Sequence, residues 1–291
     1  MRSRRTNVAE TRRRLAALVA SRQPTSVPLC LDPITARLAE QLGYGAGYVS
    51  GGALGFALAV SEALLSIDEL AAATRAIVRR SDLPIIVDGA VGFGDPVHVT
   101  RMMWEFEAAG AAAVEIEDQV APKRVSHHRG IEHLVPKNEM AAKIEAAVAA
   151  RQDPNLLVIA RTGAVRHEGI DAACERARAY VEAGADVLLP VPASADDIGR
   201  VRAVVDVPLA TIGMFDHSVR AHPAGIGLFI DPITPHVAIY LATKELLERH
   251  GRREVSGIDP KELMALYREL GTTAGFDELY DIERATTEPG T

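Results

Sequence analysis

The chain is poor in cysteine, with Cys30 and Cys174 alone among 291 residues. Neither has a CxxC partner or other metal-ligand spacing, which argues against a disulfide framework and a thiolate metal site. Both fall in apolar runs, where a thiol serves as a small hydrophobe. Long hydrophobic runs are missing too. No window reaches the roughly 18 consecutive apolar residues of a membrane span, and the basic opening "MRSRRTNVAETRRRLAALVASR" has no apolar core of the kind a signal peptide needs. The expectation is a cytoplasmic protein with no membrane partner. Nor is there an excess of positive charge: a formal net charge of -7 leaves no basic surface of the kind nucleic acid requires. The arginines of the opening are read as the solvated face of an amphipathic first helix.

What the chain does have is alternation. Short apolar, β-branched runs at 27–31, 46–50, 84–88, 112–116, 156–160, 186–190, 207–212 and 226–230 alternate with longer helical patterns, several ending in a glycine suited to a helix C-cap. Strands so arranged pair in parallel through right-handed crossovers, and their continuous apolarity requires cover on both faces. A (β/α)8 TIM barrel explains the count and the length, with an open doubly wound sheet as the alternative. The whole of 1–291 is then one barrel domain: an N-terminal helix in 1–24, the barrel in 25–250, and one or two amphipathic helices with a polar tail in 251–291.

In such a barrel the chemistry sits where strands end. Those positions carry Asp32, Ser50 with Gly51 and Gly52, Asp88, Glu117 with Asp118, and Arg161 with Thr162. Asp88 and Glu117 are suited to Mg²⁺, directly or through water, and Arg161 to a substrate carboxylate or phosphonate. The amides of "SGG" are suited to a second anionic oxygen. A metal that polarises a 2-oxo acid lets a bond to the adjacent carbon break or form. For Asp32 and Asp95 the ordinary role of helix N-cap is an equal reading, and Pro96 suits the first helical position. The connection "DQVAPKRVSHHRGIEHLVPKNEM", 118–140, is too polar for core. It reads as a lid bringing Lys123, Arg124, Ser126, His127 and His128 as acid or base, or else as a solvated loop.

The phrases "LDPITARLAEQLGYGAGYVSGG", "LPIIVDGAVGFGDPVHVTRMMWEFEAAG", "EIEDQVAPKR", "KIEAAVAAR" and "IARTGA" resemble, in order and spacing, the isocitrate lyase and phosphoenolpyruvate mutase superfamily. The resemblance implies an α/β barrel, a homotetramer whose last helices swap between neighbours, bound Mg²⁺ or Mn²⁺, and a pyruvate-like enolate. It implies that Ser50, Gly51 and Gly52 hold the pyruvoyl oxygens, with Asp32 bordering the pocket. Asp88 would be the direct metal ligand, Glu117 a ligand through water, and Glu62, or Ser61 after a one-residue shift, the outer acidic position. Arg161 would grip the substrate, and Lys123, Ser126 and His127 would stand in the catalytic lid.

The chain departs from the superfamily pattern at working positions. Ala90 stands for the second aspartate of D-A-D-T-G-Y-G, Val125 for the cysteine acid of K-K/R-C-G-H, and Gly163 for the aspartate of A-R-T-D-A. Val191 and Ile212 replace a glutamate and an asparagine. The loss at 90 is expected to weaken Mg²⁺ binding by roughly 10- to 100-fold, and the loss at 125 argues against the standard cysteine mechanism. The expected activity is a Mg²⁺-dependent carbon–carbon lyase, decarboxylases included, acting on a small 2-oxo or 2-hydroxy carboxylic acid through an enolate. The alternatives are a catalytically altered barrel with a binding or assembly role, and a P–C bond mutase or hydrolase.

Overall fold

Alternating strands and helices form a ring of eight parallel strands in the computed structural model, which describes residues 7–191, 194–213 and 226–288. The first arginines and the last three residues of the tail lie outside the described residues. The strands are β1 (Thr25–Val27), β2 (Gly47–Val49), β3 (Ile85–Asp88), β4 (Ala113–Glu117), β5 (Leu157–Thr162), β6 (Val187–Pro190), β7 (Leu209–Ile212) and β8 (Ile226–Ile230). Each pairs with its successor from β2 onward, and β8 pairs with β1. The fold is a (β/α)8 TIM barrel. The open-sheet alternative is thereby set aside.

Closure between β1 and β2 depends on Pro28. The first strand, expected over 27–31, is shorter and earlier, because a proline has no N–H for a continuous ladder. Thr25–Val27 pairs with β8, and the chain then turns to β2. There Cys30 N–H donates to the Tyr48 carbonyl at 2.8 Å and Tyr48 N–H donates to the Pro28 carbonyl at 2.9 Å.

Two apolar layers result. Val27, Tyr48, Ile86, Ala113, Leu157, Ile159, Val187, Leu189 and Leu228 fill the barrel interior, while Val49, Val87, Val114, Ile116, Val158 and Leu188 pack outward against the helices. The N-terminal helix Val8–Ala20 adds Leu15 and Val19 to the inner cluster. One of its arginines corrects the solvated-face reading. Arg12 is buried: Nε donates to the Ala111 carbonyl and Nη2 to the Glu107 carbonyl, both at 2.9 Å. Helix Pro96–Ala109 ends there, and the guanidinium fork adds donors to carbonyls at and just past that end.

Three helices follow β8, at Thr234–Gly251, Pro260–Ala274 and Phe276–Thr286. The first and third bury no residue, and they expose Ile239, Tyr240, Leu241, Leu247, Leu279 and Tyr280. Among the described residues no helix is long and apolar enough to cross a membrane.

Candidate active site

Strand side chains alternate between two faces. With Ile86, Ala113, Leu157 and Ile159 in the barrel interior, Asp88, Glu115, Glu117 and Arg161 take the same inward face nearer the mouth. Register sets Asp88 beside Glu115 and Glu117 beside Arg161. Past β2, Ser50 caps the helix Gly51–Ala57, its Oγ accepting from Ala53 N–H at 3.2 Å. Gly51 N–H donates to Asp88 Oδ2 at 3.0 Å, and Ala90 N–H donates to Oδ1 at 2.8 Å. A Cβ at Gly51 would crowd Asp88 Oδ2 at 3.1 Å, so the close approach favours glycine.

A cavity of about 350 Å³ opens at this mouth. Ser50, Gly52, Glu62, Asp88, Lys123, His127, His128 and Arg161 line it, with Val191 and Ile212 on an apolar wall. The long connection after β4 is pinned at its base, where Val120 N–H donates to the His133 carbonyl and Val135 N–H to the Asp118 carbonyl, each at 2.8 Å. Its Lys123 is buried, paired with Glu62 and with Glu117 Oε1 at 2.5 Å. His127 Nε2 lies 3.3 Å from Glu62 Oε2. Arg161 joins Glu115 through Nη1 at 3.0 Å and Glu117 through Nε at 3.6 Å.

These contacts set the protonation states. Burial pushes the Asp88 carboxyl up, and the negative charge of Glu62 adds to it against the pull of Lys123. Burial opposes ionisation of Glu62 as well, but the His127 hydrogen bond and the Lys123 ammonium outweigh it and bring its carboxyl down to about 2. Glu117 is likewise desolvated, yet Lys123 and Arg161 hold it below the usual carboxylate range. Burial raises Glu115 to about 7 despite Arg161. Glu62, Asp88, Glu115 and Glu117 thus gather around the two cations Lys123 and Arg161.

Residues 15–227 match the phosphoenolpyruvate phosphomutase family. The chain belongs to this family. It is 36% identical to a 2-methylisocitrate lyase of Aeropyrum pernix over 83% of this chain and 81% of that one. It is 32% identical to the 2,3-dimethylmalate lyase of Eubacterium barkeri over 94% and 97%. Matches to two probable 2-methylisocitrate lyases of Corynebacterium glutamicum are shorter, spanning 66% and 60% of their length. A solved phosphonopyruvate hydrolase in complex with oxalate and Mg²⁺ superposes with a TM-score of 0.80 at 30% identity, covering 95% of this chain and 98% of that one.

A divalent cation fits the donor set of this phosphomutase-family site. Asp88 is a buried carboxylate whose ionisation is opposed by its surroundings, and added positive charge would relieve that. Among the described residues no three carboxylate, histidine or cysteine side chains meet closely enough to cage a metal. Mg²⁺ keeps several waters and takes one or two carboxylates plus substrate oxygens. Asp88, Glu62 and Glu117 are the carboxylates at this mouth that could hold such a cation.

The other expected residues separate. Glu62 lines the cavity, whereas Ser61 caps a short turn with its hydroxyl 3.2 Å from His128 Nε2. Asp32 spends both oxygens on Thr35, capping helix Pro33–Gln41, and Asp95 caps Pro96–Ala109. Asp32, Ser126 and Val125 are not among the lining residues, and Val125 is 56% exposed. Glu115 and Tyr48 escaped the sequence reading. Both lie within strands, where a charge reads as misplaced core, yet Glu115 Oε2 accepts from Tyr48 OH at 2.9 Å directly under the cavity. The signal was a glutamate two residues before Glu117 on the same face. Asp231, after β8, was also passed over; Oδ1 accepts from the amides of Ile233 and Thr234, while buried Oδ2 has no hydrogen-bond partner among the described residues.

Proposed function

We propose that the protein is a Mg²⁺-dependent carbon–carbon lyase, decarboxylation included, acting on a small 2-oxo or 2-hydroxy carboxylic acid. The observation that carries this is the buried Asp88 carboxylate, destabilised by burial and by Glu62, opening with Arg161 onto one small cavity. The names of its relatives, 2-methylisocitrate lyase, 2,3-dimethylmalate lyase and an oxaloacetate decarboxylase, support the reaction class. The bound Mg²⁺ and oxalate of the hydrolase support the metal and a 2-oxo acid.

When bound, Mg²⁺ would polarise the 2-oxo oxygen and stabilise the negative charge that develops as the neighbouring bond breaks. The chain's own residues do the rest. Arg161 offers Nη2, engaged by neither Glu115 nor Glu117, to the substrate carboxylate. Ser50 and Gly52 line the same cavity and would meet the same oxygens. Cleavage of a 2-hydroxy acid needs a base for the hydroxyl proton and an acid for the carbanion left behind; decarboxylation of a 2-oxo acid needs only the acid. Lys123 and His127 carry protons at the cavity wall, so the reading does not require a cysteine at position 125.

We further infer a homotetramer, because the C-terminal helices expose apolar residues that a second copy would cover. The experiment for the activity is a screen of purified protein with Mg²⁺ against 2-oxo and 2-hydroxy diacids, following pyruvate or glyoxylate release. Turnover of one such acid is expected. No turnover, with no calorimetric binding of Mg²⁺ or oxalate, overturns the reading in favour of a binding or assembly role. Turnover of a phosphonate alone turns it to P–C chemistry.

A further inference from the structure

Three permanent cations line the cavity: Lys123, Arg161 and Arg166. Two are committed. Lys123 is held by Glu62 and Glu117, and Arg161 by Glu115 and Glu117. The guanidinium of Arg166 has no ion pair or hydrogen bond among the described residues, although it faces the same space. The short helix Ala164–His167 follows β5 directly and sets Arg166 five residues beyond Arg161 on one rim.

A carboxylate that lines the same cavity is otherwise engaged. Glu132, also a lining residue, meets His167 Nε2 through Oε2 at 3.1 Å. It reaches there because residue 163 is glycine, since a Cβ at that position would collide with Glu132 Oε2. The departure at Gly163 therefore admits a carboxylate from the long connection, and His167 answers it, which leaves Arg166 unneutralised.

We propose that Arg166 is a specificity-determining residue that binds a second carboxylate of the substrate, distal to the one on Arg161. This rests on the lyase reading above. At Arg161 only Nη2 is open to an incoming carboxylate, Nη1 and Nε being held by Glu115 and Glu117, and Lys123 is held by Glu62 and Glu117. At Arg166 the incoming group displaces only water, and a guanidinium fork matches a carboxylate through two parallel hydrogen bonds.

The test is calorimetry on the full chain with Mg²⁺, comparing malate with 2-hydroxybutyrate, of the same chain length but lacking the distal carboxylate, and using oxalate to report on the metal site. Wild-type protein is expected to bind malate at least ten-fold more tightly than 2-hydroxybutyrate. Arg166→Gln should lose that ten-fold for malate alone, leave oxalate and 2-hydroxybutyrate unchanged, and recover in part as Arg166→Lys. Equal losses for both hydroxy acids, or oxalate binding without any gain from the distal carboxylate in wild type, overturns the role of Arg166. Wild-type protein that binds none of the three acids overturns the lyase reading itself.

Discussion

Two buried charge clusters stand back to back on β4 and β5, and adjacent residues feed them. Glu117 turns inward to Lys123 and Arg161. Asp118 turns outward, where Oδ2 accepts from Thr162 Oγ1 at 2.6 Å, Tyr180 OH at 2.8 Å and Arg176 Nη1 at 3.3 Å, and Oδ1 accepts from Gly163 N–H at 3.2 Å. Arg176 is as fully used, donating to the Val135 carbonyl and to both oxygens of Glu168. The outer cluster ties two strand ends to the base of the long connection and to helix Ile170–Glu182. The inner cluster gathers more carboxylates than cations and leaves polar atoms facing a cavity. Charge that is satisfied serves the fold; charge left over is available for chemistry.

That contrast is most sharply tested by Asp88→Ala against Arg176→Ala. Asp88→Ala is expected to lower turnover by about 1,000-fold or more, the scale of removing a principal charge-stabilising group. Its melting temperature should change little, because relief of the crowding by Glu62 and Glu117 offsets the hydrogen bonds lost to the Gly51 and Ala90 amides. A chelator should likewise abolish turnover while leaving the fold. Arg176→Ala strands a buried Asp118 and should cost about 3–5 kcal/mol of stability, read in urea midpoints. An Asp88→Ala protein with full turnover, or an Arg176→Ala protein of wild-type stability, breaks the comparison.

Glu115 gives the next largest effect. Its folded carboxyl keeps its proton up to about 7, against the usual 4.5 of a solvated glutamate. Between those values the folded state binds more protons than the unfolded, so this residue's contribution falls by about 3 kcal/mol as pH rises across the interval and then levels off. Glu115→Gln can still accept from Arg161 and donate to Tyr48, and should lose this pH dependence. Urea midpoints of both proteins at pH 4.5 and pH 8 measure it; parallel changes would show that Glu115 is charged throughout.

The barrel was legible because apolar strands and capped helices alternate at the period of βα units, and strand-end residues such as Ser50, Asp88, Glu117 and Arg161 could be counted off directly. What was not legible depended on direction or distance. Glu115 shares the face of Glu117 two residues on, but a charge inside an apolar strand reads as misplaced core until the fold sets it under a cavity. Arg12 looked like one arginine of a solvated run until helix Pro96–Ala109 ended against it. The loss at Gly163 could not be joined to Glu132 and His167 without the fold, since the three come from separate segments. Pro28 was visible, but its effect on strand closure required knowing which neighbour each half would pair with.

The smallest effect lies at the edge of the inner cluster, in His127. Burial disfavours its charge, but the Glu62 carboxylate and the Arg124 carbonyl, 2.6 Å from Nδ1, overcome this and raise it above its usual value. A histidine raised on folding stabilises the protein fully below its unfolded value of 6.5 and loses that contribution as pH climbs through the higher folded value. Desolvation of the imidazole offsets most of its attraction to Glu62, so the contribution should stay near or below about 1 kcal/mol. Urea midpoints of wild type and His127→Gln should therefore differ most near pH 6 and converge above pH 8. A constant gap across that range would mean that packing, rather than charge, ties His127 to Glu62, and the inner cluster would then owe its charge balance to Lys123 and Arg161 alone.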